Sequence, residues 1–235
     1  MRIFKALYVS FFIIVFISSL LISCNSKKKK EYNSSLKEIK IMYQNYYDGK
    51  PLSNVNLSDK GQYKPLVELE NKFVIKSQGT DTLIKNRIEK LHKFDFTNFT
   101  KSSLKKYKDN IDALKNSYTK DLEKLETTQK ELQTEIDKMP IPEYGKDYSK
   151  IAHDRTSLQL DYTKKRKALI EAYIKNLEQI YSFMNSFLGN TKKKDFDINA
   201  EISKLDKLNK ESDQIVKDSE KLESELKNKI LKLLS

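Results

Sequence analysis

Residues 101–139 read KSSLKKYKDNIDALKNSYTKDLEKLETTQKELQTEIDKM. The apolar side chains in this stretch recur at alternating spacings of three and four residues, with charged residues between them. They are Leu104, Tyr107, Ile111, Leu114, Tyr118, Leu122 or Leu125, Leu132, Ile136 and Met139. This spacing predicts one amphipathic helix with a single apolar face, roughly 58 Å long at 1.5 Å per residue. Pro140 and Pro142 end it, because proline cannot continue the hydrogen-bond ladder of a helix.

Two further segments of similar length carry the same spacing. The first begins at Asp147 or Ser149, either of which can cap a helix, and ends at Gly189-Asn190. The second follows an exposed lysine loop at 192–194 and begins after Asp197, its expected cap. Three long helices joined by short breaks fold back on one another most simply as an antiparallel, up-down-up bundle or coiled coil.

Shorter helices precede these three. The apolar spacing predicts about three helical turns from Leu36 to Tyr47, and the residues Asp-Gly-Lys-Pro at 48–51 stop them. Pro65 suits the first turn of the next helix. Gly79 leaves open whether that segment is one kinked helix or two.

Composition supports few, long elements. The chain has five Gly and four Pro among 235 residues and is rich in Lys, Glu, Leu and Ile. Cys24 is the only cysteine, so neither an intrachain disulfide nor a thiolate metal cluster holds the fold. We therefore predict an all-α protein in which residues 36–235 form one elongated bundle domain.

The first 24 residues have the order of a bacterial export signal. Basic Arg2 and Lys5 precede an apolar run at 6–22, which is followed by Ser23 and Cys24. At 17 residues, the run also reaches the lower limit of about 17–25 for a membrane-spanning helix. A cleaved signal and an uncleaved signal anchor both fit this length, and both place the rest of the chain outside the cytoplasm.

The end of the run resembles the lipobox of bacterial lipoproteins, with Leu21, Ile22 and Ser23 at −3, −2 and −1 and Cys24 as the modified residue. The resemblance implies that residues 1–23 are a signal peptide removed on export. It also implies that Cys24 carries a diacylglyceryl group and usually a third acyl chain. Several acyl chains hold a protein on a bilayer permanently, whereas one holds it reversibly.

Residues 24–35 are predicted to be a lipidated, flexible tether. Within it Lys27, Lys28, Lys29 and Lys30 either contact anionic headgroups, at about 1 kcal/mol per lysine, or remain solvated. Asn25 stands where aspartate is the usual inner-membrane retention signal, so the lipoprotein resemblance implies the outer membrane, facing the periplasm, in a diderm host. In a monoderm host it implies the outer face of the plasma membrane.

The charge balance bears on partners. Without residues 1–23, which carry two basic side chains, 43 Lys and Arg face 33 Asp and Glu, a net charge of +10. An export signal places the chain outside the cytoplasm, so nucleic acid is not the expected partner. The positive net charge then favours anionic lipid, an acidic polymer or an acidic protein. A codon bias toward lysine in an AT-rich genome explains the same surplus without a partner.

Catalytic patterns are missing from the sequence. His92 and His153 are the only histidines, and no Gly-x-Ser-x-Gly elbow or phosphate-binding glycine loop occurs. We therefore predict no enzyme, cofactor or metal site. Tyr43, Tyr46 and Tyr47 cluster near lysines and form a possible ligand site for sugar rings, bases or an aromatic molecule.

The chain further resembles small helical lipoproteins of enterobacterial type. The shared features are Cys24 with a polar spacer, a short helix ending near Gly49, Pro51-Leu52, Leu57-Ser58-Asp59-Lys60 and Pro65. The resemblance implies an envelope location and a helical fold, but no site. Three hypotheses follow: a non-enzymatic envelope lipoprotein with a structural or protein-binding role, a surface adhesin for acidic polysaccharide or protein, and an activator of a cell-wall enzyme.

Overall fold

A computed structural model describes residues 2–52, 55–95, 99–190 and 198–235, with all side chains in these ranges except those of 2–24, 190 and 198. The described residues form five α-helices. They are α1 (Arg2–Tyr47), α2 (Lys64–His92), α3 (Lys101–Lys138), α4 (Tyr148–Asn190) and α5 (Ile198–Leu233). Single 3-10 turns lie at Gly61–Tyr63 and Glu143–Gly145. The prediction of an all-α bundle with three long helices is confirmed.

Helix ends follow local chemistry. The Thr100 hydroxyl accepts from the Ser103 amide at 3.1 Å, and the Ser103 hydroxyl accepts from the Thr100 amide, which makes a reciprocal cap for α3. Pro65 lies in the first turn of α2, as predicted, and α2 passes through Gly79 as one helix. Gly49 adopts φ +65° directly after α1, a left-handed conformation that ends the helix with little strain.

Helices α2 to α5 alternate in direction around one apolar core. Helix α3 packs against α2 and α4, and α4 packs against α5. Helix α1 contacts α2 on one side and α5 on the other. It runs parallel to α2, because Ser34 reaches Asp59, Tyr43 reaches Glu70 and the carbonyl of Lys50 reaches Gln78.

The core has two parts. All five helices meet in the proximal core, which lies beside α1 and comprises Ile39, Met42, Tyr43, Leu66, Val67, Phe73, Val74, Leu132, Ile136, Tyr148, Ala152, Leu226, Ile230 and Leu234. The buried residues of the distal core come from α2, α3 and α4. They are Ile84, Leu91, Leu104, Tyr107, Ile111, Leu114, Leu122, Leu125, Ile170, Tyr173, Ile174, Leu177, Ile180 and Met184.

The structure differs from the predicted tether at 24–35, which lies within α1 instead of forming a linker. Ser35 is buried, and the ring of Tyr32 lies 5.2 Å from that of Tyr63, so the bundle includes residues N-terminal to Leu36. The segment contains no Gly or Pro, so nothing interrupts the helical hydrogen bonds between the apolar run and residue 36. The helix predicted from Leu36 is therefore only the last part of α1.

Candidate anchor region and partner-binding groove

The candidate anchor region is the N-terminal part of α1. The backbone of Cys24 belongs to this helix, whereas its side chain lies outside the described residues. Lys27, Lys28, Lys29 and Lys30 are all exposed. Successive residues of a helix point about 100° apart, so these four side chains surround α1 as a ring of positive charge.

Lys60 joins this end of α1 to the start of α2. Its side chain is only 3% exposed, and its ammonium lies 2.7 Å from the Asp59 carboxylate and 2.9 Å from the Ser34 hydroxyl. A Glu38 carboxylate oxygen lies 3.8 Å away. Because Ser34 and Glu38 are one turn apart on α1, Lys60 holds the helix at the point where it enters the bundle.

The carboxyl of Asp59 reports this contact. Hydrogen bonds from Lys60 and Ser34 lower the pKa of Asp59 to about 2. Because the pKa is lowered, the contact stabilises the fold at pH values above 3.8, the ordinary pKa of the carboxyl. This stabilisation is lost as the pH falls from about 4 toward 2. In a carboxyl NMR titration, we expect Lys60→Met to return the Asp59 midpoint toward 3.8. The exposed Lys64→Met is the control, and an unchanged midpoint in K60M would contradict the contact.

The tyrosine cluster divides between core and surface. Tyr43 is buried, and its hydroxyl donates to Glu70 at 3.0 Å. Burial raises the pKa values of Tyr43, Tyr46 and Tyr47 well above the ordinary value of 10. Tyr46 and Tyr47 remain partly exposed, with their rings 4.7 Å apart. A ligand-binding role therefore stays a prediction for Tyr46 and Tyr47, while Tyr43 already has a structural partner.

Two buried ion pairs lie behind this cluster. Arg155 and Glu70 have fully buried side chains, and an Arg155 guanidinium nitrogen lies 2.7 Å from the Glu70 carboxylate. Tyr148 donates to the same carboxylate at 2.6 Å. Asp81 and Arg166 form the second pair, with side chains 10% and 5% exposed. Each pair links α2 to α4, so both fix the pairing of these helices.

Neither ion pair was predicted from the sequence, although charged residues on the apolar faces of α2 and α4 indicate such pairs. Glu70 stands in α2 at helical spacing between Leu66 and Phe73, on the apolar face. Arg155 similarly follows Ala152 on the buried face of α4. A charged residue at such a position must find a buried partner, because an unpaired buried charge is very costly.

A groove continues from the site that α1 occupies. Helix α1 ends at Tyr47, where Asp48 forms an ion pair with Lys227 of α5. Lys85 of α2 and Glu223 of α5 then bridge the two walls at 2.6 Å. From this point to the end of α2, α2 and α5 flank an open groove with α4 as its floor, and beyond α2 the groove continues between Phe99, α4 and α5. We call it the distal groove.

Three neighbouring cavities form the distal groove. The first, about 390 Å³, has an apolar lining that includes Ile88, Leu169, Ile215 and Val216. The second, about 250 Å³, shares His92 and Tyr173 with the first and contains Ser212 and Asp213. The third, about 360 Å³, shares Asn209 with the second and is lined by Phe99, Phe183, Phe187, Ile202, Leu205 and Asp206.

The apolar side chains of α5 are less buried beyond the end of α1 than beside it. In its C-terminal half, beside α1, Leu226 and Ile230 are 5% and 0% exposed. In its N-terminal half, Leu205 and Ile215 are only partly buried, and Ile202 is 48% exposed. The predicted coiled-coil seam of α5 is thus fully covered over only part of its length, because α1 covers one half alone.

Tyr173 contributes a buried polar group to the groove. Its side chain is 3% exposed and lines the first two cavities. The hydroxyl makes no hydrogen bond of ordinary geometry with a described residue, and Ser212 is the side chain that approaches it. Burial raises the pKa of Tyr173 to about 12, so the hydroxyl remains protonated and able to donate.

The two histidines lie in different surroundings. His153 lies 3.3 Å from the Asp137 carboxylate at an exposed position. His92 lines the distal groove at the end of α2. Among the described residues, no group of three or more His, Cys, Asp or Glu side chains is placed to hold a metal ion.

Comparisons with protein-family models, curated proteins and solved structures find no match to this chain. Within the part of the chain whose side chains are described, no helix is both long and apolar enough to cross a membrane.

Proposed function

We propose that this protein is a lipid-anchored envelope protein that acts by binding a protein partner. The anchor is the acylated thiol of Cys24, and residues 1–23 are the signal that directs export. The observation that carries the proposal is the juxtaposition of the apolar run at 6–22 with the only cysteine of the chain. Helix α1 connects Cys24 to the bundle without a break.

A binding role is supported by the distal groove. Its cavities combine an apolar lining with a small number of polar groups, as protein and ligand sites commonly do. The groove starts beyond Tyr47, which is 23 residues along α1 from Cys24, or about 35 Å at the helical rise. A partner in the groove would therefore lie well clear of the bilayer that holds the acyl chains, on the periplasmic or outer side of the membrane.

The anchor is tested by labelling bacteria that express the protein with radioactive palmitate. We expect Cys24→Ala to abolish incorporation of the label and to leave an unprocessed precursor, because it removes the thiol that the lipid requires. Cys24→Ser is a closer replacement with the same expected loss, and Ser26→Ala is the control that keeps the label. Labelling and processing of C24A at the wild-type level would rule out the proposed anchor.

A further inference from the structure

We infer that the distal groove binds an amphipathic helix of a protein partner, and that this helix carries basic side chains at seven-residue spacing along one edge of its apolar face. The inference rests on the proposed binding role and adds the chemistry of the partner. Its support comes from α1 and from the carboxylates of α5.

Helix α1 is a precedent within the same molecule. It lies between α2 and α5 in the proximal half, where it buries Ile39, Met42 and Tyr43, which recur at helical spacing. The first two cavities of the distal groove lie between the same two helices, with α4 as the floor, and Phe99 takes the place of α2 beside the third cavity. No helix of the described chain lies in these cavities. The apolar lining of the groove includes Ile202, which is 48% exposed and would be buried by a helix placed end to end with α1.

The charge of the α5 edge selects a basic partner. Asp206, Asp213 and Glu220 line the groove seven residues apart, which places them on one face of α5 about 10 Å from each other. None of the three forms an ion pair with another described residue. Lys227 is the next residue in this series, and it already forms an ion pair with Asp48, the residue that follows α1. The edge of α5 that pairs with Asp48 therefore presents, farther along, three carboxylates that have no ion-pair partner among the described residues.

The dimensions fit a helix. The α5 wall extends over 22 residues, from Ile202 to Glu223, whose positions along the helix axis are about 32 Å apart. That length accommodates about 20 residues of a partner helix.

The acidic edge of the groove disfavours anionic lipid and nucleic acid, although the chain as a whole carries a net positive charge.

The test uses the full chain in nanodiscs of neutral phosphatidylcholine and a fluorescent synthetic peptide of 21 residues. The peptide has leucines at the a and d positions of a heptad, lysines every seventh residue along one edge, and alanine and glutamine elsewhere. A matched peptide carries glutamate in place of each lysine. In anisotropy titrations we expect the lysine peptide to bind at least roughly tenfold more tightly than the glutamate peptide. Empty nanodiscs correct for binding to lipid.

Charge reversal makes the test specific to the groove. We expect the double variant Asp213→Lys, Glu220→Lys to bind the glutamate peptide more tightly than the lysine peptide. The matched control is Asp218→Lys, Glu225→Lys, which reverses two exposed charges seven residues apart on α5 that do not line the groove. This control should keep the preference for lysine, and circular dichroism confirms that both variants fold.

Several results would overturn the inference. They are equal affinity for the two peptides, no binding of either, and a loss of preference that is as large in the control as in the groove variant. Binding of dodecanoate in the absence of peptide binding would instead make the groove a small-molecule site. A dimer that the groove variant dissociates, again without peptide binding, would assign the groove to a second copy. Cys24→Ala is titrated in parallel and should bind the lysine peptide like wild type, so failure of the anchor and failure of the groove are distinguishable.

Discussion

Replacing Glu70 with alanine is expected to lower the free energy of unfolding by about 3–5 kcal/mol. The change leaves the Arg155 guanidinium as a fully buried charge without its carboxylate, which lies 2.7 Å away in the wild type. It also removes the acceptor of the Tyr43 and Tyr148 hydroxyls. Urea unfolding followed by circular dichroism at 222 nm measures the loss.

A matched control and a double variant show whether burial is the cause. Lys76 and Glu131 also form an ion pair between two helices at 2.7 Å, but their side chains are 42% and 48% exposed. We expect Glu131→Ala to cost at most about 1 kcal/mol, because solvent screens an exposed pair. The double variant Glu70→Leu, Arg155→Met should recover a large part of the E70A loss, since it leaves no unpaired buried charge. Equal losses in E70A and E131A would contradict this explanation.

Leu114→Ala is expected to cost about 2–5 kcal/mol. Leu114 lies on α3 in the distal core, and its side chain is 0% exposed. Removing three carbons there loses their transfer free energy and leaves a cavity that neighbouring helices fill only partly. The same urea titrations measure this change.

Leu83→Ala on α2 is the control for L114A. The Leu83 side chain is 49% exposed, so its truncation removes little buried area and should change the unfolding free energy by no more than about 0.5 kcal/mol. A cost of L114A below that of L83A would mean that α3 and α4 do not pack around Leu114 as the structure has them.

The helices themselves were largely predictable. The spacing of three and four residues located α3, α4 and α5, and the stop signals at Pro140 and Gly49 agree with the observed ends of α3 and α1. Thr100 caps α3 through a hydrogen-bond pair with Ser103, three residues along the chain. These features depend on chemistry within a few residues along the chain, which is why the sequence is sufficient to locate them.

The candidate sites were less predictable. Cys24 and the lysines at 27–30 are visible in the sequence, because export signals are read as linear segments. The tyrosine cluster was identified by its composition, but only packing determines that the Tyr43 hydroxyl faces Glu70. The distal groove could not be predicted, because the apolar pattern of α5 does not determine which neighbouring helix packs against it.

The sequence by itself determined an all-α chain and the ends of most helices, and it predicts an export signal that ends at the single cysteine. These properties follow from backbone hydrogen bonding and side-chain spacing within single segments. Only the tertiary structure decided that Glu70 meets Arg155, that α1 covers just the proximal half of α5, and that Asp206, Asp213 and Glu220 border an open groove. Those outcomes depend on how far each helix extends beside its neighbours, and that is set by packing between residues distant in the chain.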